Sequence, residues 1–219
     1  TVTSIGDLAF RECSSLASIT IPNGVTFIGQ QAFLGSDLIS VTLPNSLNSI
    51  ESYAFQNCKS LTSIDIPDGV TSIGSYAFNN CLSLDYIFIP KNVQTIGERV
   101  FSYCRILSKI EVDWNNQQFK DLNDTAIIKK DDQNKWHLIE GSNSITFSSD
   151  TPSISYINQY AFEGRTTLKS ITIPKGVKEI SYCAFGYCER YFYIFINVRT
   201  AILEGEFQTL LIRKCFFNR

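Results

Sequence analysis

The sequence predicts an α/β solenoid, a stack of similar rungs that each hold a short strand, a turn and an outer helical turn, with one β-hairpin inserted. Three observations predict it. The dipeptide Ala-Phe, Val-Phe once, ends at Phe10, Phe33, Phe55, Phe78, Phe101, Phe162 and Phe185, at spacings of 23, 22, 23, 23, 61 and 23 residues. Prolines keep the same interval: Pro22, Pro44, Pro67, Pro90 and Pro174 each follow an apolar-x-apolar triplet, and Pro152 stands outside the scheme. The single long spacing exceeds the interval by 38 residues and marks the insertion. Self-similarity at a fixed period of this size belongs to repeat architectures.

One rung justifies the elements in order. In Leu61–Pro67, LTSIDIP, the residues Leu61, Ile64 and Ile66 repeat at L-x-x-L-x-L spacing, and Ile64-x-Ile66 is a short strand with one buried face. Pro67 ends it, since proline has no N–H for the ladder. Asp68-Gly69 supplies a turn. Ile73, Ala77, Phe78 and Cys81 then recur at roughly helical spacing, which predicts about two short helical turns on the convex side. One rung cannot bury Ile64, Ile66, Val70, Ile73, Phe78 and Leu84 alone, but stacking sets each against its equivalents in the next rung. A parallel β-sheet on the concave face is expected, with strands at Ile19, Val41, Ile64, Ile87, Ile110, Ile145, Ile171 and Ile194.

The repeat frame resumes in ISYINQYAF, Ile154 to Phe162, and Ile145-Thr146-Phe147 restores a strand before it. The foreign part therefore spans about 113–143. Within it, TAIIKK and KWHLIE flank Asp131 to Asn134, which reads as a β-hairpin projecting from one rung. The chain divides into repeats over 1–112, an inserted hairpin module over 113–143, repeats over 144–188, and a degenerate repeat or C-terminal cap over 189–219.

Composition excludes several classes. With 44% hydrophobic residues in 219, the chain has material for a packed core and does not read as disordered. A formal charge of −2, from 19 basic and 21 acidic residues, carries no footprint for nucleic acid. The richest apolar run, Tyr191 to Ile196, falls far short of the roughly 20 residues of a membrane span. There is no methionine, and Thr1 falls inside a repeat, so a mature or excised piece is expected.

Catalytic and metal readings find little support, and no cofactor is expected. The one histidine, His137, lies in the hairpin beside Trp136, and a partly exposed hairpin residue is the plainer account. Asp121-x-Asn123 begins like a calcium loop, but Thr125 and Ala126 stand where an oxygen ligand and glycine are needed. Cys13, Cys58, Cys81, Cys104 and Cys188 all stand three residues after a repeat phenylalanine and read as a buried column of small thiols. Ser36 and Arg165 fill the column elsewhere, and the arginine suggests a rung opened to solvent beside the insertion. Cys183 and Cys215 lie outside the column and read as the reactive pair.

The recurrent IPxGVTxIGxxAFxxCxxL pattern, fullest in Ile66 to Leu84, and the hairpin interrupting the array resemble the BspA-like leucine-rich repeat proteins of bacterial and protist cell surfaces. The resemblance spans Val2 to Cys188. It implies a leucine-rich repeat right-handed superhelix, displayed at the cell surface or secreted, that adheres to extracellular-matrix or cell-surface proteins.

Variable positions on the concave strands locate a binding face. The outward pairs are Ser18/Thr20, Ser40/Thr42, Ser63/Asp65, Tyr86/Phe88, Lys109/Glu111, Ser170/Thr172 and Tyr193/Phe195. Most are small and polar, and exposed aromatics favour interfaces. Tyr86, Phe88, Lys109, Glu111, Tyr193 and Phe195 are the candidate binding residues. Two functions follow: a protein-binding adhesion module, or a structural spacer whose copies self-associate and whose aromatics cover a neighbouring loop. In the second, Tyr86 and Phe88 pack beneath the hairpin, with Trp136 reaching back over the sheet.

Overall fold

A computed structural model describes residues 2–147, 152–188, 193–196 and 211–212. Before the insertion run β1 (Ser4–Ile5), β2 (Ser18–Thr20), β3 (Phe27–Ile28), β4 (Ser40–Thr42), β5 (Ser49–Ile50), β6 (Ser72–Ile73), β7 (Tyr86–Ile89), β8 (Thr95–Ile96) and β9 (Lys109–Val112). The insertion holds β10 (Phe119–Asp121), β11 (Ala126–Lys130) and β12 (Trp136–Gly141). After it come β13 (Ile154–Ile157), β14 (Ser170–Ile173), β15 (Glu179–Ile180), β16 (Tyr193–Ile196) and β17 (Leu211–Ile212).

The rungs stack through two strand ladders. The expected one, through Ile-x-Ile, pairs β2 with β4, β7 with β9 and β14 with β16, all in parallel and with equivalent residues opposite each other. Ile64 and Ile145 are buried but belong to no strand, contrary to expectation. At Ile145 the cause is visible: the Ile110 amide donates to Asp124 O, so the insertion takes the edge of β9 that the next rung would use. The second ladder was not anticipated. It runs through the Val-x-x-Ile segments, as β1–β3, β5–β6–β8 and β13–β15–β17.

No helix occurs among the described residues, so the expected convex helical turns are replaced by stacked β-turns. Residues two before and two after each repeat phenylalanine take positive φ, as at Tyr53 (63°) and Asn57 (61°), or Tyr76 and Asn80 (both 60°). Such residues cannot continue a right-handed helix. Their amides instead reach the next rung, as Tyr53 to Ser75 O, Phe55 to Ala77 O and Asn57 to Asn79 O. Intervening amides close four-residue β-turns, as Ala54 to Glu51 O and Cys58 to Phe55 O. The outer arc is thus a third inter-rung ladder.

The core is built column by column. Phe10, Phe33, Phe55, Phe78 and Phe101 stack with ring centroids 5.1–5.7 Å apart, and Phe162 stacks on Phe185 at 5.0 Å. Beside them the column cysteines are free thiols. The four buried ones donate to the phenylalanine carbonyl of the preceding rung: Cys58 to Phe33 O at 3.1 Å, Cys81 to Phe55 O at 3.2 Å, Cys104 to Phe78 O at 3.1 Å and Cys188 to Phe162 O at 3.2 Å. Burial pushes these thiols up, Cys58 to about 11 and Cys104 and Cys188 to about 12, so they stay protonated donors. Cys183, outside the column, is disulfide-bonded, and Cys215 lies outside the described residues.

The insertion completes the core rather than projecting from it. β10, β11 and β12 form an antiparallel meander, and β12 then pairs in parallel with β13, entering the second ladder. Phe119 and Ile127 pack into the N-terminal core, while Leu122, Ala126, Ile128 and Leu138 pack into the C-terminal one. Trp136 joins the latter and does not reach over the Ile-x-Ile strands.

Arg165 fastens this junction. Its place in the cysteine column suggested an opening to solvent, yet it is fully buried. The Gly141 amide donates to Ala161 O, the acceptor that Phe101 N–H would use in a regular stack. The backbone groups of Phe101 therefore need side-chain partners. Arg165 Nη1 donates to Phe101 O and Nε to Gly141 O, both at 2.7 Å, and the amides of Val100 and Phe101 lie against the Glu140 carboxyl. The inserted strand separates the rungs, so the longer arginine does what cysteine does elsewhere. Glu140, 3% exposed and 3.7 Å from Arg165 Nη2, is pushed up to about 7 by burial, with Arg165 pulling the other way. At Gly141 a Cβ would lie 2.0 Å from the Phe162 ring, so only glycine fits.

The terminal region expected as a cap, 189–219, lies largely outside the described residues.

Candidate binding face on the Ile-x-Ile strands

Strand alternation sets the face. In β7, Ile87 and Ile89 are buried while Tyr86 is exposed and Phe88 half-buried; in β9, Ile110 and Val112 are buried while Lys109 is exposed and Glu111 half-buried. The register puts Tyr86 opposite Lys109 and Phe88 opposite Glu111. Tyr86 reaches diagonally, its hydroxyl donating to Glu111 Oε2 at 2.8 Å. Lys109 pairs with Glu111, lies 3.7 Å from Asp124, and holds its ammonium 5.5 Å from the Tyr86 ring centroid. Cross-strand and diagonal pairs of this kind order side chains on one face of a sheet.

Electrostatics follow the contacts. Hydrogen bonds from Lys109 and Tyr86 hold the Glu111 carboxyl below its usual range, and the bond to Glu111 raises Lys109. The Tyr86 phenol is pushed up to about 12, by burial first and then by its bond to Glu111. The patch is therefore a neutral phenol, an apolar ring and a fixed ion pair at neutral pH. Such a set presents aromatic area beside an ordered ion pair.

The structure brings four of the six candidate residues together on two paired strands. Tyr193, 59% exposed, lies in β16 within a separate two-stranded sheet. Phe195 is also in β16, and its side chain lies outside the described residues. Two residues escaped the sequence reading. Asp124 of the insertion reaches the patch through Lys109. Trp114, 88% exposed, stands in the turn just after β9. Aligning Val112-Asp113-Trp114-Asn115 with Ile89-Pro90-Lys91-Asn92 would have found it, since Lys91 holds the equivalent rim position and pairs with Asp68 at 2.8 Å.

His137 is held by Asp131 at 3.0 Å and Asn158 at 3.1 Å and stacks on Tyr156. Among the described residues no group of three His, Cys, Asp or Glu is placed to hold a metal.

No curated protein matches the chain. Solved structures do. A leucine-rich cell surface protein from Faecalibacterium prausnitzii is 22% identical with a TM-score of 0.58, over 91% of this chain and 78% of that one. A leucine-rich repeat protein from Eubacterium ventriosum is 26% identical with a TM-score of 0.68, over 89% of this chain and 57% of that one. The pneumococcal vaccine antigen PcpA is 23% identical with a TM-score of 0.65, over 90% and 57%. The chain thus spans little more than half the length of the last two. The profile of the BspA type leucine-rich repeat region matches residues 1–123 and 138–217 in six copies, and with its 23-residue period, parallel ladders and stacked phenylalanines the chain belongs to the BspA-type leucine-rich repeat family.

Proposed function

We propose that this chain is a non-enzymatic binding module, displayed at the cell surface or secreted, that engages extracellular-matrix or cell-surface proteins. The observation that carries the reading is the Tyr86–Phe88–Lys109–Glu111 patch. It is an aromatic centre with a charged rim on a ladder in which β2, β4 and β14 carry the small polar Ser18, Thr20, Ser40, Thr42, Ser170 and Thr172. Aromatic anchors surrounded by polar groups are the usual anatomy of a protein interface. Likeness to a leucine-rich cell surface protein of Faecalibacterium prausnitzii favours surface display, and a disulfide at Cys183 fits an oxidising compartment. Among the described residues no helix is long and apolar enough to cross a membrane.

The second reading, a spacer or self-associating array, is favoured by Lys109 reaching Asp124, because the patch then also seats the insertion. Capture of matrix and cell-surface proteins on the immobilised chain, with its mass in solution measured in parallel, tests the choice. Saturable capture by a monomer supports the binding module. No capture together with clear self-association supports the spacer.

A further inference from the structure

The second ladder is interrupted by the insertion between β8 and β13, and there the break leaves a strand edge open. β8 pairs with β6 on one side and, among the described residues, has no strand on the other, since β12 pairs instead with β13. Its register is informative. Gly97 N–H donates to Ile73 O within the Ile73–Ile96 bridge, so the N–H and C=O of Ile96 itself point away from β6. They face a cleft of about 490 Å³ between β8 and the side chains of Lys129 and Ile139. The floor is unusual too. Ile28, Ile50, Ile73, Ile157 and Ile180 of the same column are at most 1% exposed, whereas Ile96 is only partly buried, like Ile5 in the first rung. The insertion has made an end of the array inside the array.

We propose that this cleft binds an extended peptide segment of a partner protein, which adds a strand to the free edge of β8 and carries an acidic side chain. The edge specifies the backbone: Ile96 offers one donor and one acceptor, the pattern that strand addition satisfies. The floor specifies an apolar residue over Ile96 and Ile139. Charge specifies the rest. Glu98 is exposed, accepts from Gln159 at 2.8 Å and keeps its charge at the solvent edge, Arg99 is paired with Glu163, and the half-buried Lys129 over the Phe119 ring makes no ion pair among the described residues. The unpaired ammonium on the cleft wall selects a carboxylate. This site is separate from the Tyr86 patch, and its test does not depend on that reading.

The probe is a labelled synthetic peptide with the sequence of residues 69–75, the segment whose Ile73 occupies the equivalent edge beside β5, carrying Ser72→Glu. The expected result is saturable binding in fluorescence anisotropy, at least tenfold tighter than a Ser72→Lys peptide. N-methylation of alternate backbone amides should abolish it, and Lys129→Glu in the protein should reverse the charge preference. Hydrogen exchange gives a second readout: the Ile96 amide should exchange far faster than that of Ile73 in the free protein and become protected with peptide. Absence of binding, indifference to N-methylation, or an Ile96 amide already protected in the free monomer would overturn the proposal. So would dimerisation through this edge, because the occupant would then be a second copy.

Discussion

Replacing Arg165 with methionine is expected to cost about 4 kcal/mol. Methionine fills much of the same volume and removes every donor. Phe101 O keeps its bond from the Cys104 amide, but it and Gly141 O each lose a 2.7 Å bond from a charged donor, worth roughly 1.5–3 kcal/mol apiece. Glu140 loses the cation 3.7 Å away, and because its carboxyl is already raised to about 7 it answers by taking up a proton, which adds less than about 1 kcal/mol near neutral pH. Removing the buried guanidinium relieves its own desolvation, which holds the net below the sum of these figures. In a chain of this size, about 4 kcal/mol corresponds to a fall in Tm of roughly 8–16 °C. Urea and thermal unfolding followed by circular dichroism measure it. Arg165→Cys, which restores the residue typical of the column, should be equally destabilising, because a thiol cannot reach Phe101 O past the inserted strand. The double variant Arg165→Met/Glu140→Leu should recover part of the loss, since no charge is then left alone. A loss below about 1 kcal/mol in either single variant would refute this account of the junction.

Glu140 makes stability depend on pH. Its folded value is raised from 4.5 to about 7, so its contribution is complete below the unfolded value and lost as pH rises through about 7, a decline on the order of 3 kcal/mol. Urea midpoints from pH 4 to 8 should show this decline, and Glu140→Gln should flatten it; an unchanged profile in the variant would contradict the assignment. Among the described cysteines, a thiol reagent should label only Cys13, the one partly exposed thiol of the column, quickly in native protein, and should reach Cys58, Cys81, Cys104 and Cys188 after denaturation. Rapid labelling of Cys81 in native protein would contradict the buried column. Excising 116–143 and closing the gap with a short linker should abolish cooperative folding. It removes Phe119, Ile127, Ile128 and Leu138, each buried and worth about 2 kcal/mol, which together approach the whole stability of a domain. Cooperative unfolding of the excised chain would show that the insertion is dispensable.

The sequence displayed the period, the phenylalanine stack, the cysteine column and the inserted hairpin, because each rests on residue identity at fixed spacing. It misled at the outer arc, where successive β-turns place apolar residues at the same i, i+3 and i+4 intervals as a helix. The distinguishing signal was present: Gly35, Asn57, Asn80 and Gly164, two residues after their phenylalanines, are types that tolerate positive φ. Arg165 misled for a different reason. A charge among small residues reads as exposed because burial is costly, and its partner Glu140 lies in the insertion, where no repeat position announces it. The docking of β12 beside β13 was likewise hidden, since a parallel pairing depends on tertiary position. The face with Tyr86 and Phe88 was legible from strand alternation alone; the bond from Tyr86 to Glu111 needed the register.

The double variant Tyr86→Ser/Phe88→Ser tests the functional reading most directly. Serine is what neighbouring rungs carry, and Tyr86 is 37% exposed, so the variant should fold with nearly the parental melting curve. Binding to the captured partner, measured by titration, should weaken by more than about 2 kcal/mol, roughly thirtyfold. Unchanged affinity combined with a lowered melting temperature would contradict the binding face and leave these aromatics as supports for the insertion.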